Sequence, residues 1–325
     1  MASGNKVFLE NFETIAWFGR CIFVSWYCEV GTCKFCFRST TKHQIQHARK
    51  AKRSLSSLLA DALIGRECGW RIEFLTGGYG AYTFDELLDI AAKVSHVFGY
   101  KIWVNIGTLT EPELLQLKPY VEGVCASIET IDKGLHDYLC PDKNIEPYSD
   151  FLDLASKHGF RKSITIVIGV GEEKEHISQL FEYIEKHKLD RITFYALKPV
   201  RGTGYTKSPD PEYYAWWIEQ TRLKFPKLEI VAGLTPQTPE YTELILKAGA
   251  NAITKFPVVR KFNSSETRLI EQHVKNAGRD FVSTLTKLPQ IDWDAKVDEL
   301  DFSEELKQQI REKLKPIINK MQAKD

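Results

Sequence analysis

Long apolar runs are missing from this 325-residue chain. No stretch approaches the roughly 20 apolar residues that a membrane-spanning helix needs, so a membrane protein of the helical kind is not expected. A dominant charge is missing too. Lys and Arg number 44 against 43 Asp and Glu, and so even a balance gives no global pull toward nucleic acid or an anionic membrane. The segment Met1–Glu10 lacks the charged-then-apolar layout of a secretory signal, which points to a cytoplasmic protein. The seven cysteines are an odd number in a long chain, unlike the even sets of small extracellular disulfide frameworks. Short repeats and low-complexity tracts are absent as well.

What the chain does contain is a rhythm of short β-rich runs and amphipathic stretches. The β-rich runs are 21–27, 71–76, 101–106, 123–129, 163–168, 191–197, 228–232 and 252–256. Between them, Leu55, Leu58, Leu59, Ala62 and Leu63 follow helical spacing behind Ser54 as N-cap. Thr83 and Glu86 form a capping-box pattern before Leu87, Ile90, Ala91 and Val94. Further stripes run through Ile177–Ile184, Tyr214–Thr221, a start at Thr238-Pro239 and a stretch ending at Gly278. Eight strands alternating with helices predict an α/β fold, a complete or nearly complete (β/α) barrel. The expected layout is an N-terminal segment over 1–20, a barrel over 21–280 and a C-terminal helical extension over 281–325. Leu306, Ile310, Leu314 and Ile317 would pack that extension on the barrel's exterior.

Three cysteines crowd together directly after the first expected strand, as Cys28-x4-Cys33-x2-Cys36. Strand ends are where such barrels keep their chemistry. Thiolates suit iron–sulfur clusters and zinc. Three of them cap three irons of a cubane and leave the fourth open to a small chelating ligand. Structural zinc normally takes four protein ligands from two knuckles; here Cys33-x2-Cys36 is one knuckle without a second, although His43 and His47 stand close in sequence. On the fourth strand Cys125, Ser127 and Glu129 share a face, and packing of Val124, Ala126 and Ile128 against helices would turn that face inward.

This arrangement resembles the radical S-adenosylmethionine superfamily. Phe35 stands just before the last cysteine, as an aromatic does there, although the common cysteine spacing is three then two rather than four then two. Leu75-Thr76-Gly77-Gly78 resembles the superfamily's Gly-Gly motif, with Tyr79 where an acidic residue is usual. The run Ile166 to Glu172 resembles its adenine-contact region, and Ser127-Ile-Glu129-Thr130 resembles the ribose-contacting strand of the biotin synthase-like branch. The resemblance implies a 4Fe–4S cluster on Cys28, Cys33 and Cys36, and S-adenosylmethionine bound by Phe35, Thr76, Gly77, Gly78, Ser127, Glu129, Ile166, Tyr195 and Leu197. It implies reductive cleavage of that cofactor to a 5′-deoxyadenosyl radical that takes hydrogen from the substrate. The substrate would be a small molecule, free or bound to a carrier protein, and the electron donor a ferredoxin or flavodoxin, with no nucleic acid or membrane involved. Within the branch, the chain looks similar to archaeal two-protein lipoyl synthases and to HmdB-like enzymes of the iron-guanylylpyridinol cofactor. A second cluster on Cys125 and Cys140 would make sulfur insertion concrete, while the alternative for such cysteines is buried small hydrophobes. Two other readings compete: a non-catalytic, metal-stabilised barrel, and acid–base chemistry on Glu129 and Lys255 that would survive Cys33→Ala.

Overall fold

The computed structural model describes residues 2–45 and 47–323; the outer limits of the first and last expected segments, residues 1, 324 and 325, lie outside the described residues. Its strands are β1 (Ile15–Phe23), β2 (Arg71–Thr76), β3 (Ile102–Asn105), β4 (Val121–Glu129), β5 (Arg161–Ile168), β6 (Arg191–Ala196), β7 (Glu229–Gly233), β8 (Ala252–Thr254) and β9 (Asp280–Phe281). The first eight are parallel and closed: they run in order from β2 to β8, and β1 pairs with both β8 and β2. The chain is therefore a (β/α)8 barrel. β9 adds a short parallel pairing to the start of β1 through Ile15 and Ala16.

Parity sorts the strand residues into two layers. Val124, Ala126 and Ile128 join Ile164, Ile166 and Ile168 in the large apolar core beneath the helices. Their alternates point into the lumen, where Phe74, Trp103 and Cys125 form a small cluster of their own. The helices begin as their sequences direct. The Ser54 side chain accepts the Ser57 N–H, Thr83 and Glu86 make a reciprocal capping box, and Gly99 ends that helix in the left-handed conformation. The C-terminal helix, Glu304–Gln322, packs on the outer helix Leu55–Glu67, with Ile310, Leu314, Ile318 and Met321 buried.

β1 departs from expectation by starting at Ile15 rather than Cys21. Gly19 and Arg20 interrupt the apolar pattern, but both have structural work. A Cβ on Gly19 would stand only 3.2 Å from the Cβ atoms of Glu73 and Thr254, and Arg20 points outward to a bidentate pair with buried Asp61 (both contacts 2.9 Å). β2 carries a bulge against β1: Arg20 pairs with Ile72 and Cys21 with Phe74. Glu73 is the extra residue, and its carboxylate lies in the lumen.

The N-terminal end of the barrel is plugged by aromatic and guanidinium groups. Arg191 lies 4.0 Å from the Trp103 ring centroid and bonds Glu229 at 2.8 Å, while Arg71 covers Trp17. These residues, with Arg161 and Tyr100, line a cavity of about 280 Å³.

Candidate active site at the barrel mouth

The cysteine loop leaves β1 and lies on the turn that ends β2. Val24 N–H donates to Thr76 O (2.8 Å) and Glu29 N–H to Tyr79 O (2.9 Å). Gly77 and Gly78 make this approach possible. A Cβ on Gly78 would sit 1.9 Å from Tyr27 O and 2.6 Å from Cys28 Cβ, and one on Gly77 would meet Val24 Cγ2 at 2.8 Å. Inside the four-residue spacer, Gly31 turns with φ +52, its Cβ position only 2.9 Å from Cys28 O. That left-handed turn takes up the extra residue at little steric cost.

Cys28, Cys33 and Cys36 are all half-buried and free. The neighbouring Cys140 thiol holds Cys33 below its ordinary value, and Cys33 with burial pushes the Cys140 thiol up. Burial raises Cys36. Among the described residues, no three His, Cys, Asp or Glu side chains converge on an ion-sized point. A cubane cluster needs no such point, because it presents its irons to thiolates set well apart, and sulfurs move by χ1 rotation on a fixed backbone.

Other candidate residues ring the same mouth. Phe35, Cys33, Tyr195 and Leu197 pack with Cys140, Val167 and Val170 in one apolar cluster. Ser127 turns inward, as the packing of its neighbours requires, and donates to Asn105 Oδ1 at 3.0 Å. Glu129 ends β4 at φ +68 and accepts a 2.8 Å ion pair from Lys143. Burial works to lower Lys143, but Glu129 overrides it and holds the ammonium well above its ordinary value. Tyr79 packs beside this pair, against Gly107. Glu172 folds back onto its own turn, accepting the N–H groups of Gly169 (2.7 Å), Val170 (2.9 Å) and Gly171 (3.2 Å). It shapes the end of β5.

The Ile166 side chain faces the helices with Ile164 and Ile168, so only its backbone can serve the mouth; Val167 has the inward parity. Cys125 and Cys140 fall in separate apolar clusters, Cys125 with Phe74 and Trp103 and Cys140 with the mouth residues. One lumen residue escaped sequence reasoning. Glu73, fully buried, accepts hydrogen bonds from the Tyr195 hydroxyl (2.6 Å) and the Cys21 thiol (2.8 Å), and the Thr254 hydroxyl touches the same carboxylate. A lone acidic residue amid Ile72, Phe74 and Leu75 was the available signal; the bulge that turns it inward was not.

The sequence model of the radical SAM superfamily matches residues 24–184, from the end of β1 to the helix after β5. This chain belongs to that superfamily. An uncharacterized protein of Methanocaldococcus jannaschii is 35% identical over 97% of this chain and 92% of its own length. The 3-methylornithine synthase of Methanosarcina barkeri is 23% identical over 77% of this chain and 69% of its own. A biotin synthase of Thermodesulfovibrio yellowstonii is 26% identical over 52% and 55%. The crystal structure of methylornithine synthase (PylB) superposes with a TM-score of 0.69 at 20% identity, covering 90% of this chain and 89% of that one. The hydrogenase maturase HydG gives 0.70 at 14% identity, covering 97% and 85%. These structural likenesses establish the shared barrel.

Radical SAM enzymes use a 4Fe–4S cluster and S-adenosylmethionine, and the residues here fit both groups. The donor set is three thiols on one loop at a strand end. Beside it, Gly77 and Gly78 leave a backbone edge on which no side chain stands. No helix among the described residues is long and apolar enough to cross a membrane.

Proposed function

We propose that this chain is a single-cluster radical SAM enzyme of cofactor biosynthesis, which takes a hydrogen atom from a small organic substrate without inserting sulfur. Cys28, Cys33 and Cys36 would hold the cluster, and the Gly77-Gly78 edge the amino end of S-adenosylmethionine. Ser127 and Glu129 would meet the ribose, and Phe35, Leu197 and Tyr195 would enclose the adenine. Bound together, these groups supply a 5′-deoxyadenosyl radical. The protein's part is placement and exclusion of water. The apolar cluster of Leu139, Cys140, Val167, Val170 and Leu197 keeps one side of the mouth dry. The Glu129–Lys143 pair fixes another side by holding a carboxylate over the end of β4.

The observation that carries the choice against sulfur insertion is the dispersal of the other four cysteines. Cys21 binds Glu73, Cys68 lies in the outer apolar core, Cys125 is deep in the lumen and Cys140 abuts Cys33. None forms a second set of ligands, so the HmdB-like reading fits better than the lipoyl synthase-like one. A ferredoxin or flavodoxin would supply the electron, and the substrate would enter free or on a carrier protein. The basic run Arg49-Lys-Ala-Lys-Arg53, after the cysteine loop, offers little for docking. Lys52 pairs with Glu86 and Arg53 with Asp61, leaving Arg49 and Lys50 exposed.

Anaerobic reconstitution tests the proposal. The wild-type chain should bind about four irons and form 5′-deoxyadenosine with dithionite and S-adenosylmethionine. The Cys28→Ala/Cys33→Ala/Cys36→Ala variant should hold no cluster. Residual iron and sulfide in that variant would return the reading to sulfur insertion, and a colourless, zinc-loaded wild type would return it to a metal-stabilised barrel.

A further inference from the structure

Four non-glycine residues among those described have positive φ: Glu129, Lys188, Lys255 and Asn263. For an L-residue this conformation costs about 1–2 kcal/mol. Lys188 caps a helix C-terminus, where the left-handed turn is the ordinary solution, and asparagine tolerates the region. Glu129 and Lys255 have no such excuse. Glu129 ends β4 and Lys255 directly follows β8; these strands lie four apart either way around the ring and so face each other across the mouth. Strain of this kind persists where the surroundings enforce it, commonly at functional sites.

The two differ in what their charges meet. The Glu129 carboxylate is neutralised by Lys143. Lys255 is exposed, and its ammonium has no carboxylate within 4.0 Å among the described residues. It stands instead over two aromatic faces, 4.5 Å from the ring centroid of Tyr195 and 5.0 Å from that of Phe23. Both rings belong to the mouth: Phe23 closes β1 just before the cysteine loop, and Tyr195 is tied down by Glu73. Glu73 makes no ion pair with it, being beyond 4.0 Å and bonded to Tyr195, Cys21 and Thr254. The ammonium is thus oriented by ring faces and makes no ion pair among the described residues. The residues suited to S-adenosylmethionine occupy β2, β4, β5 and β6, which leaves the β8 side to the substrate.

We propose that Lys255 binds the carboxylate of an organic-acid substrate, anchoring it at the β8 side so that its carbon chain extends over the lumen toward the cysteine loop. A single ammonium matches a monovalent carboxylate better than a dianionic phosphate ester. This inference rests on the radical SAM reading for its geometry, but its test is independent of turnover.

The probes are hexanoate, hexanamide and hexyl phosphate, bound to the anaerobic, cluster-loaded chain with S-adenosylmethionine present and followed by ligand-observed NMR. Hexanoate should bind about tenfold more tightly than hexanamide, a difference of about 1.4 kcal/mol. Lys255→Gln should abolish that preference and leave hexanamide binding unchanged. Lys255→Arg should keep it within about threefold, and Lys198→Gln, at an exposed lysine beyond β6, should not alter it. Thermal melts of each variant confirm folding. Hexanoate that binds no better than hexanamide, or a preference that survives Lys255→Gln, overturns the proposal. Preferential binding of hexyl phosphate overturns the assignment to carboxylate. Failure of the wild type to form 5′-deoxyadenosine would instead sink the radical SAM reading, whatever the binding results.

Discussion

The two ends of this barrel are built on opposite principles. At the N-terminal end, charges and rings are paired with one another, although Arg191 Nη1 and Trp103 Nε1 are buried without a hydrogen-bond partner: Arg191 is shared between Trp103 and Glu229, Arg161 reaches Glu229 and Glu122, and Arg71 lies over Trp17. At the C-terminal end, backbone is forced into left-handed turns at Glu129 and Lys255, glycines admit close contacts, and one ammonium lacks an anion. The floor spends its side chains on stability and the mouth spends stability on placement, as expected of barrels whose chemistry sits at the strand C-termini. Substitutions at the floor should therefore change unfolding and spare the cofactors, and those at the mouth should do the reverse.

The largest effect belongs to the cysteine loop. Cys33→Ala should lower bound iron and 5′-deoxyadenosine formation at least a hundredfold, with a thermal melt of the apo chain close to wild type. Full activity in this variant would revive acid–base chemistry on Glu129 and Lys255. Gly78→Ala comes next. Its methyl group would stand 1.9 Å from Tyr27 O, so the loop must move off the β2 turn. Iron incorporation should fall about tenfold and S-adenosylmethionine affinity with it, as read by iron assay and equilibrium dialysis.

The floor supplies the converse. Arg191→Met removes the nearer guanidinium from Glu229, at 2.8 Å, leaving Arg161 at 3.4 Å, and uncovers Trp103. Breaking a buried pair costs about 3 kcal/mol, measured by urea unfolding, while 5′-deoxyadenosine formed per cluster should stay at the wild-type rate. A fall in that rate at unchanged stability would erase the division between the two ends. Asp61 tests how the mouth is buttressed from outside. Burial pushes its carboxyl up, but Arg20 and Arg53 more than offset this and hold it below its ordinary value. Arg53 in turn bonds Phe23 O at the end of β1. A depressed folded-state value contributes stability that is present above about pH 4, the unfolded value, and is lost as pH falls further. Asp61→Asn should flatten that acid limb of the stability profile.

The barrel was legible because parallel strands buried on both faces read as apolar runs, and caps such as Ser54 and the Thr83–Glu86 box mark helix starts directly. The inward turn of Ser127 and Glu129 followed from parity alone. What stayed hidden depends on register and on distant partners. Gly19 and Arg20 concealed the first half of β1, because their reasons lie on β2, β8 and the helix carrying Asp61. The two-residue β9 exists only through its pairing with Ile15 and Ala16. The bulge at Glu73 shifts parity within a single strand, which no periodicity can display.

The smallest effect separates strain from side-chain value at Lys255. Replacing it by glycine relieves the left-handed backbone, a gain of about 1 kcal/mol. It also removes two exposed cation–π contacts worth about 0.5–1 kcal/mol each. The two terms nearly cancel, so Lys255→Gly should melt within about 2 °C of wild type. Lys188→Gly relieves the same strain at a helix end and should gain about 1 kcal/mol, since no ring contact is lost with it. A large destabilisation by Lys255→Gly would mean that the lysine holds the mouth together, and the contrast between a structural floor and a working mouth would fail at the residue that states it most sharply.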